Sequence, residues 1–510
     1  MPRFTPLFAL LPFLFATAAC SNSAAPQPVD PFAQFDEFVK KAQKDYQVPG
    51  AVVVIVSADR VEFIKTYGVR SIARSEPIDT STRFQIASNS KFMTAAAIGT
   101  LVDSQKTTWD QPVKDHYPSF QLASQEATSQ VNFSDLLSHQ SGLRSYDGDL
   151  MGRQGWSNEE ILRRSRFMTL EPFRGEKAHY SNLAYFIAGE IAAYISDVRA
   201  LDWETFVARS LLEPLGMTRS SGRNDALYLD DNRVAGHIIK NGNVELMDLE
   251  ASCIPPAGSI VSTANDMARW MRMLLNRGQL DGKTILQPST VDALFVPVKT
   301  FPTYGLLNEP NGGYGLGTEP YMFLGTRVVS KNGALNGVRT NLALIPSKKI
   351  GIFIFANINL NVFPEAVTAR FLEDQIGPSG KDLQSIIWNQ MKPGWDAMAT
   401  PPVPPTNPDP LPVDLALLAG TYSSTVYGAF AVTAGANNTL LMVAQDSPVA
   451  YAGTLKHWTG MQFLLDWGNP DDMYGQMTFQ RSQDGTQVIG MVGSKPENSA
   501  NIIDYGTFTR

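Results

Sequence analysis

The sequence predicts an α/β catalytic fold, a mixed and mainly antiparallel sheet flanked by helices with a helical subdomain, followed by a small C-terminal antiparallel β-barrel or sandwich. Three observations carry this expectation. Strand-like apolar runs occur near residue 50 and return near residue 350 with helix-like stretches between them, so one sheet must be assembled from distant segments around a mainly helical insertion. The stretch TPPVPPTNPDPLPVD at 400–414 fits neither helix nor central strand and marks an extended linker. Beyond it, short runs separated by Gly, Asn and Asp turns replace the helical pattern.

Taken in chain order, MPRFTPLFALLPFLFATAAC has one early Arg3, an apolar stretch of about a dozen residues and then small residues, the pattern of an export signal too short to span a bilayer as a lasting anchor. Thr17-Ala18-Ala19-Cys20 is similar to a bacterial lipoprotein box, with Thr17 where Leu is usual. It implies removal of residues 1–19 and lipid attachment at Cys20, with 20–33 as a polar tether on a periplasmic membrane face. Cleavage after Ala16-Thr17-Ala18, giving an exported soluble protein, remains the alternative. PFAQFDEFVKKAQKDY then reads as an amphipathic helix and PGAVVVIVSADRVEFIKTYGV as a hairpin. NEEILRRSRFMTL, LAYFIAGEIAAYI and NDMARWMRMLLNRGQL read as helices between loops. Strands return in RVVSKNGALNGVRTNLALIPSKKIGIFIFAN. The expected divisions are a catalytic domain at 34–378, a helix and Pro-rich linker at 379–414, and a β domain at 415–510. The last has strands in GTYSST, AFAVTAG, TLLMVAQ, MQFLLDW, QMTFQRS and VIGMVGS.

Composition narrows the function. With 44% hydrophobic and 18% charged residues and a net charge of −7 over 510 residues, the chain has the make-up of a soluble globular protein of two or three folded units. It has no Lys/Arg-rich run, which argues against nucleic acid as a partner. Only Cys20 and Cys253 occur, so no disulfide framework is expected, and Ala-Ser-Cys253-Ile-Pro-Pro reads as a small packed residue without a basic neighbour. His116, His139, His179, His237 and His457 lack metal-ligand spacing, so neither a metal nor another cofactor is expected.

Chemistry enters at Ser88-Asn89-Ser90-Lys91, which follows FQIA and opens the helix-like KFMTAAAIGTL. Ser88 in the first turn meets free N–H groups and the positive end of the helix dipole, and Lys91 three residues on lies over the same face. The same spacing also fits an ordinary N-cap serine followed by a solvated lysine, and local sequence alone leaves both open. Two further segments favour chemistry. Tyr180-Ser-Asn182 stands at a loop-to-helix junction, where a phenol and an amide can point into one cleft. Lys331-Asn-Gly333 ends an apolar run. On an edge strand its lysine would offer a cation to that cleft and its glycine would let a substrate backbone lie close.

These three motifs, in this order, resemble the penicillin-recognising serine hydrolases, in particular the class C β-lactamase-like branch with its D-aminopeptidase, carboxypeptidase and esterase relatives. The flanking VPGAVVVIV, LLSHQSGL, PPAGSIVSTANDMARWM and PSKKIGIFIFAN extend the resemblance over roughly residues 34–375. It implies a β-lactamase/transpeptidase-like fold acting on a small peptide, amide or ester. Ser88 would be the nucleophile, Lys91 its base and Tyr180 a proton relay held as phenolate by the two lysines. Asn182 would orient Lys91 and the substrate amide, and the backbone N–H groups of Ser88 and Ala334 would form an oxyanion hole. Asn332 departs from the Thr or Ser common in β-lactamases and penicillin-binding proteins, and the C-terminal module is absent from plain class C β-lactamases. Both point away from efficient β-lactam turnover, leaving peptidase or amidase first, then esterase or β-lactamase, then a silent peptidoglycan- or partner-binding receptor. A G-x-S-x-G elbow is absent. In the resembling family LLSHQSGL is a structural loop, so His139 is not expected to act as a base.

Overall fold

The structure, a computed structural model, describes residues 1–2, 30–196, 201–249, 254–301, 312–399, 402–468, 474–494 and 502–510. Residues 3–19 of the expected export signal, Cys20 and Cys253 lie outside the described residues. Among those described, no helix is long and apolar enough to cross a membrane, and no group of His, Cys, Asp or Glu is placed to hold a metal ion.

The apolar run after Pro49 becomes β1 (Gly50–Ser57), which turns into β2 (Val61–Ser71) and a short β3 (Arg74–Pro77). Some 240 residues later the chain adds β4 (Glu319–Phe323), β5 (Thr326–Leu335), β6 (Val338–Ile345) and β7 (Ile350–Ala356). They form one seven-stranded sheet in the order β4-β5-β6-β7-β1-β2-β3, each neighbouring pair antiparallel. β1 is a continuous apolar run because both its faces are covered. Val52, Val54 and Val56 join the core of α2 (Asn89–Asp103) and α4 (Ala264–Leu275), while Ala51, Val53 and Ile55 join that of α1 (Ala33–Asp45) and α5 (Phe363–Ile376). Between them α3 (Asn182–Ile195) packs against α2 inside the helical region. α2 is buried on nearly every side, as its apolar composition requires, and so holds its N-terminal turn rigidly. Across the outer face, Arg339 of β6 forms a buried pair with Glu365 of α5 and lies 5.0 Å from the ring of Trp395, which fastens α6 (Leu383–Ala399) to the sheet.

His237 fastens a second seam. Its Nδ1–H donates to the carbonyl of Asn357 at 2.7 Å and its Nε2 accepts from the Ile72 N–H at 3.1 Å, so both nitrogens are used by the neutral ring. Burial pushes its pKa down, as it does for His116 and, more strongly, His139. The unfolded chain therefore takes up protons below about pH 6.5 that the native fold refuses, and stability falls as pH drops through that region. Urea unfolding followed from pH 7.5 to 5.5 is expected to show a falling midpoint, with a shallower fall in His237→Gln.

The C-terminal region is a closed eight-stranded antiparallel barrel. Gly420–Ser424, Gly428–Ala434, Thr439–Ala444, Ala452–Thr459, Gln462–Asp466, Tyr474–Arg481 and Val488–Ser494 follow one another, and Thr507–Thr509 closes the ring between the last and the first. Inward-facing Tyr422, Phe430, Val432, Leu440, Met442, Phe463, Met477, Phe479 and Met491 fill the interior, as in barrels too narrow for a channel. Of the two forms expected, the barrel is the one present. Its core is continuous with that of the helical region.

Candidate active site

Ser88 stands where the short strand Phe84–Gln85 turns sharply into α2. The turn is made by Ala87 in the left-handed region, φ 51°, a conformation costing a residue with a Cβ about 1 kcal/mol or more. Asn89 N–H to Ile86 O, Ser90 N–H to Ala87 O and Lys91 N–H to Ser88 O tighten the first turn. Ser88 itself is helical, φ −63° and ψ −4°, and its hydroxyl makes no capping bond. The ordinary N-cap alternative therefore does not describe this serine, whose Oγ faces Lys91 and Tyr180 instead.

Lys91 is fully buried. Its Nζ lies 3.2 Å from Ser88 Oγ and donates to Asn182 Oδ1 at 2.7 Å and to the carbonyl of Ala257 at 2.9 Å. The PPAG stretch of the sequence supplies that carbonyl from the turn Pro255–Gly258, which Thr94 Oγ1 also binds through Pro256 O at 2.7 Å. Burial first, and then the nearby Lys331 cation, push the Lys91 pKa well below the ordinary lysine value, while Asp149 and Glu319 pull it back up. In the neutral amine the two N–H groups are taken by Asn182 Oδ1 and Ala257 O, neither of which can donate a hydrogen. The lone pair is then left facing Ser88 Oγ.

Tyr180 donates to Ser88 Oγ at 2.8 Å from the other side. The segment before α3 is pinned by His179 N–H to His139 O and Ser181 N–H to His139 Nδ1, both 3.1 Å. His139 thus supports Tyr180 from below, its ring 4.6 Å away, with its Nδ1 occupied by Ser181. The phenolate expected at Tyr180 is disfavoured by its burial and by the nearby carboxylates. Burial, Glu319 and Asp149 raise its pKa and outweigh the lowering from the Ser88 bond. Lys91 Nζ and Lys331 Nζ lie 4.8 and 5.5 Å from the centre of its ring, over its face.

Lys331 also differs from expectation. β5 is the second strand of the sheet, although its pairing with β4 stops at Glu319↔Ser330 and leaves residues 331–335 beyond it. The side chain is fully buried and ion-paired to Glu319 Oε1 at 2.5 Å, so its cation sits beneath Tyr180 and is not offered openly to the cleft. Gly333 is needed for a different reason from the one inferred. A Cβ there would lie 2.5 Å from Ile86 O and 3.1 Å from Ala87 Cβ, so its absence lets β5 press against the turn that presents Ser88. Ala334, one residue on, is exposed and lines the same cleft as Ser88. That cleft encloses about 450 Å³ and is bounded also by Tyr146, Asp149, Arg153, Tyr180, Asn182, Ile254, Gly258, Glu319 and Asn332. No barrel residue is among those lining it within the described residues, and neither is His179.

Residues from three distant segments, Ser88 with Lys91, Tyr180 with Asn182, and Lys331 with Ala334, thus meet at one corner of the sheet. Asp149, Glu319 and Tyr146 were not foreseen. They carry no motif, and only the fold brings them to the cleft.

A sheet covered by helices on both faces, a helical subdomain and a serine, lysine and tyrosine gathered beside β5 define a β-lactamase/transpeptidase-like fold, a class consistent with serine hydrolysis. The chain belongs to the Beta-lactamase family, whose family model matches residues 35–375. Beta-lactamase-like protein 2 of Dictyostelium discoideum is 30% identical over 66% of this chain and 61% of its own length. Unguisins hydrolase ungD of Aspergillus violaceofuscus is 24% identical over 81% of this chain and 77% of its own. The chain thus spans less than two thirds of the first relative. The octameric penicillin-binding protein homologue from Pyrococcus abyssi, 21% identical, superposes with a TM-score of 0.60 over 94% of this chain and 99% of its own, which is a likeness of fold.

Proposed function

We propose that this chain is an exported serine hydrolase that cleaves an amide or peptide bond through an acyl-enzyme on Ser88. The observation that carries the reading is the serine hydroxyl, free of any capping bond and within hydrogen-bond reach of both Lys91 and Tyr180. Neutral Lys91 takes the Ser88 proton as Oγ attacks the carbonyl carbon, and the backbone N–H groups of Ser88 and Ala334 receive the oxyanion. Tyr180 passes its proton to the departing nitrogen as the C–N bond breaks, and regains one from the Lys91 ammonium. Water then attacks the acyl carbon, giving its proton to this pair, and Ser88 leaves with a proton restored. Because Tyr180 rests as a phenol, Lys91 is the resting base and Tyr180 the donor. Lys331, ion-paired to Glu319, lies under the ring of Tyr180. Export, by the leader at 1–19 with lipid attachment at Cys20, belongs to the same proposal.

The test is one panel: L- and D-aminoacyl p-nitroanilides, p-nitrophenyl butyrate and a chromogenic cephalosporin, each with wild type and Ser88→Ala. Anilide and ester turnover by wild type alone is expected, with the cephalosporin slowest because Asn332 lacks a hydroxyl to hold a carboxylate. Failure of every substrate, together with no modification by a fluorophosphonate serine label, would favour the receptor reading and sink this one.

A further inference from the structure

The structure assigns to Asp149 the role of a positioning residue, one that fixes which end of the Asn182 amide faces Lys91, and to the C-terminal barrel the role of holding Asp149 in place. This rests on Lys91 acting as the base. Asn182 Nδ2 donates to Asp149 Oδ2 at 2.8 Å, while its Oδ1 accepts from Lys91 Nζ at 2.7 Å. A carboxylate only accepts, so it dictates that the NH₂ end of the amide points toward it and the oxygen toward Lys91. The opposite rotamer would aim an N–H at the Lys91 lone pair and occupy the electrons that must take the Ser88 proton.

Asp149 opens a single-turn helix, Asp149–Arg153, and both ends of that turn are gripped by the barrel. At the N-cap, the Gly148 N–H reaches the Tyr427 hydroxyl at 3.4 Å. At the C-cap, Gln154 Nε2 donates to the Tyr427 carbonyl at 2.9 Å, and Ser447 Oγ donates to Gln154 O at 2.7 Å. Tyr427 and Gln154 are both buried. The barrel thus acts on the site from behind the cleft wall, through Tyr427, Gln154, Asp149 and Asn182 in series.

The charged and titratable groups facing Lys91 are Asp149, Lys331, Glu319, Tyr180, Tyr185 and His139. Asp149→Asn removes a negative charge that favours the ammonium, so the acid limb of the pH profile is expected to move to lower pH. It also lets the amide rotate, so the rate on the plateau is expected to fall about tenfold to a hundredfold, the scale of a small misplacement of a catalytic group. A loosened fold would instead admit water to Lys91 and carry the limb to higher pH. Gln154→Leu, outside the cleft, is expected to lower the plateau several-fold with the limb in place or raised.

The experiment measures p-nitrophenyl butyrate turnover and the rate of Ser88 modification by a fluorophosphonate from pH 5 to 10, in wild type, Asp149→Asn, Gln154→Leu and Lys91→Met. Lower plateau rates in the first two variants and a downward limb in Asp149→Asn support the inference. Wild-type rates and limb in Asp149→Asn, or an upward limb, overturn it. Undiminished activity in Lys91→Met overturns instead the reading of Lys91 on which it rests.

Discussion

Replacing Ser88 by alanine is expected to lower turnover of every substrate the wild type hydrolyses by about 10⁴-fold or more, the scale on which a covalent nucleophile is lost. The substitution is small and local. Ser88 makes no capping bond, so α2 keeps its N-terminal hydrogen bonds, and the buried body of that helix is untouched. Tyr180 loses its acceptor and Lys91 one of three partners, while Asn182 and the Ala257 carbonyl still hold the amine. Circular dichroism and thermal unfolding should therefore remain close to wild type, and steady-state kinetics on the butyrate ester and the anilides should register the loss.

Lys91→Met is the second large effect. Methionine keeps much of the buried stem and removes the amine, so the change tests the base with little cavity. Loss of a positioned general base is expected to cost about 10²- to 10⁴-fold. The wild-type pH profile carries the same point. Burial and Lys331 drive the Lys91 pKa down, so the amine becomes neutral, and the rate of Ser88 acylation rises, well below the pH at which an ordinary lysine loses its proton. The rate should climb with pH through that value, and the limb should be missing from the residual activity of Lys91→Met. Stopped assays across pH 5 to 10 in matched buffers measure both.

Much of this architecture is legible in the sequence because its signals are local. β1 announces itself as an apolar run bounded by turns, and α2 as an apolar helix opening on Ser-x-x-Lys. What is not legible is what only tertiary packing decides. Lys331 reads as a cation presented to a cleft, yet Glu319 and the rings of Tyr180 and Tyr314 enclose it. Gly333 reads as room for substrate, yet the room is taken by Ile86 and Ala87. Asp149 sits in no motif, and its partnership with Asn182 joins the first turns of two helices distant in sequence. Alternating short strands fit a sandwich as well as a barrel. The pairing of Ser423 with Thr509, from opposite ends of the module, decides between them. The strand Ala452–Thr459 carries no clear strand signal because Lys456 and His457 interrupt its apolar pattern.

The most direct measurement is the mass of the protein caught in mid-reaction. Wild type mixed with p-nitrophenyl butyrate and quenched in acid within the first turnovers should gain one butyryl group, and peptide mapping should place it on Ser88. The adduct should be absent from Ser88→Ala and form slowly in Lys91→Met. A butyryl group on another residue, or p-nitrophenol released by Ser88→Ala at the wild-type rate, would contradict the acyl-enzyme at Ser88.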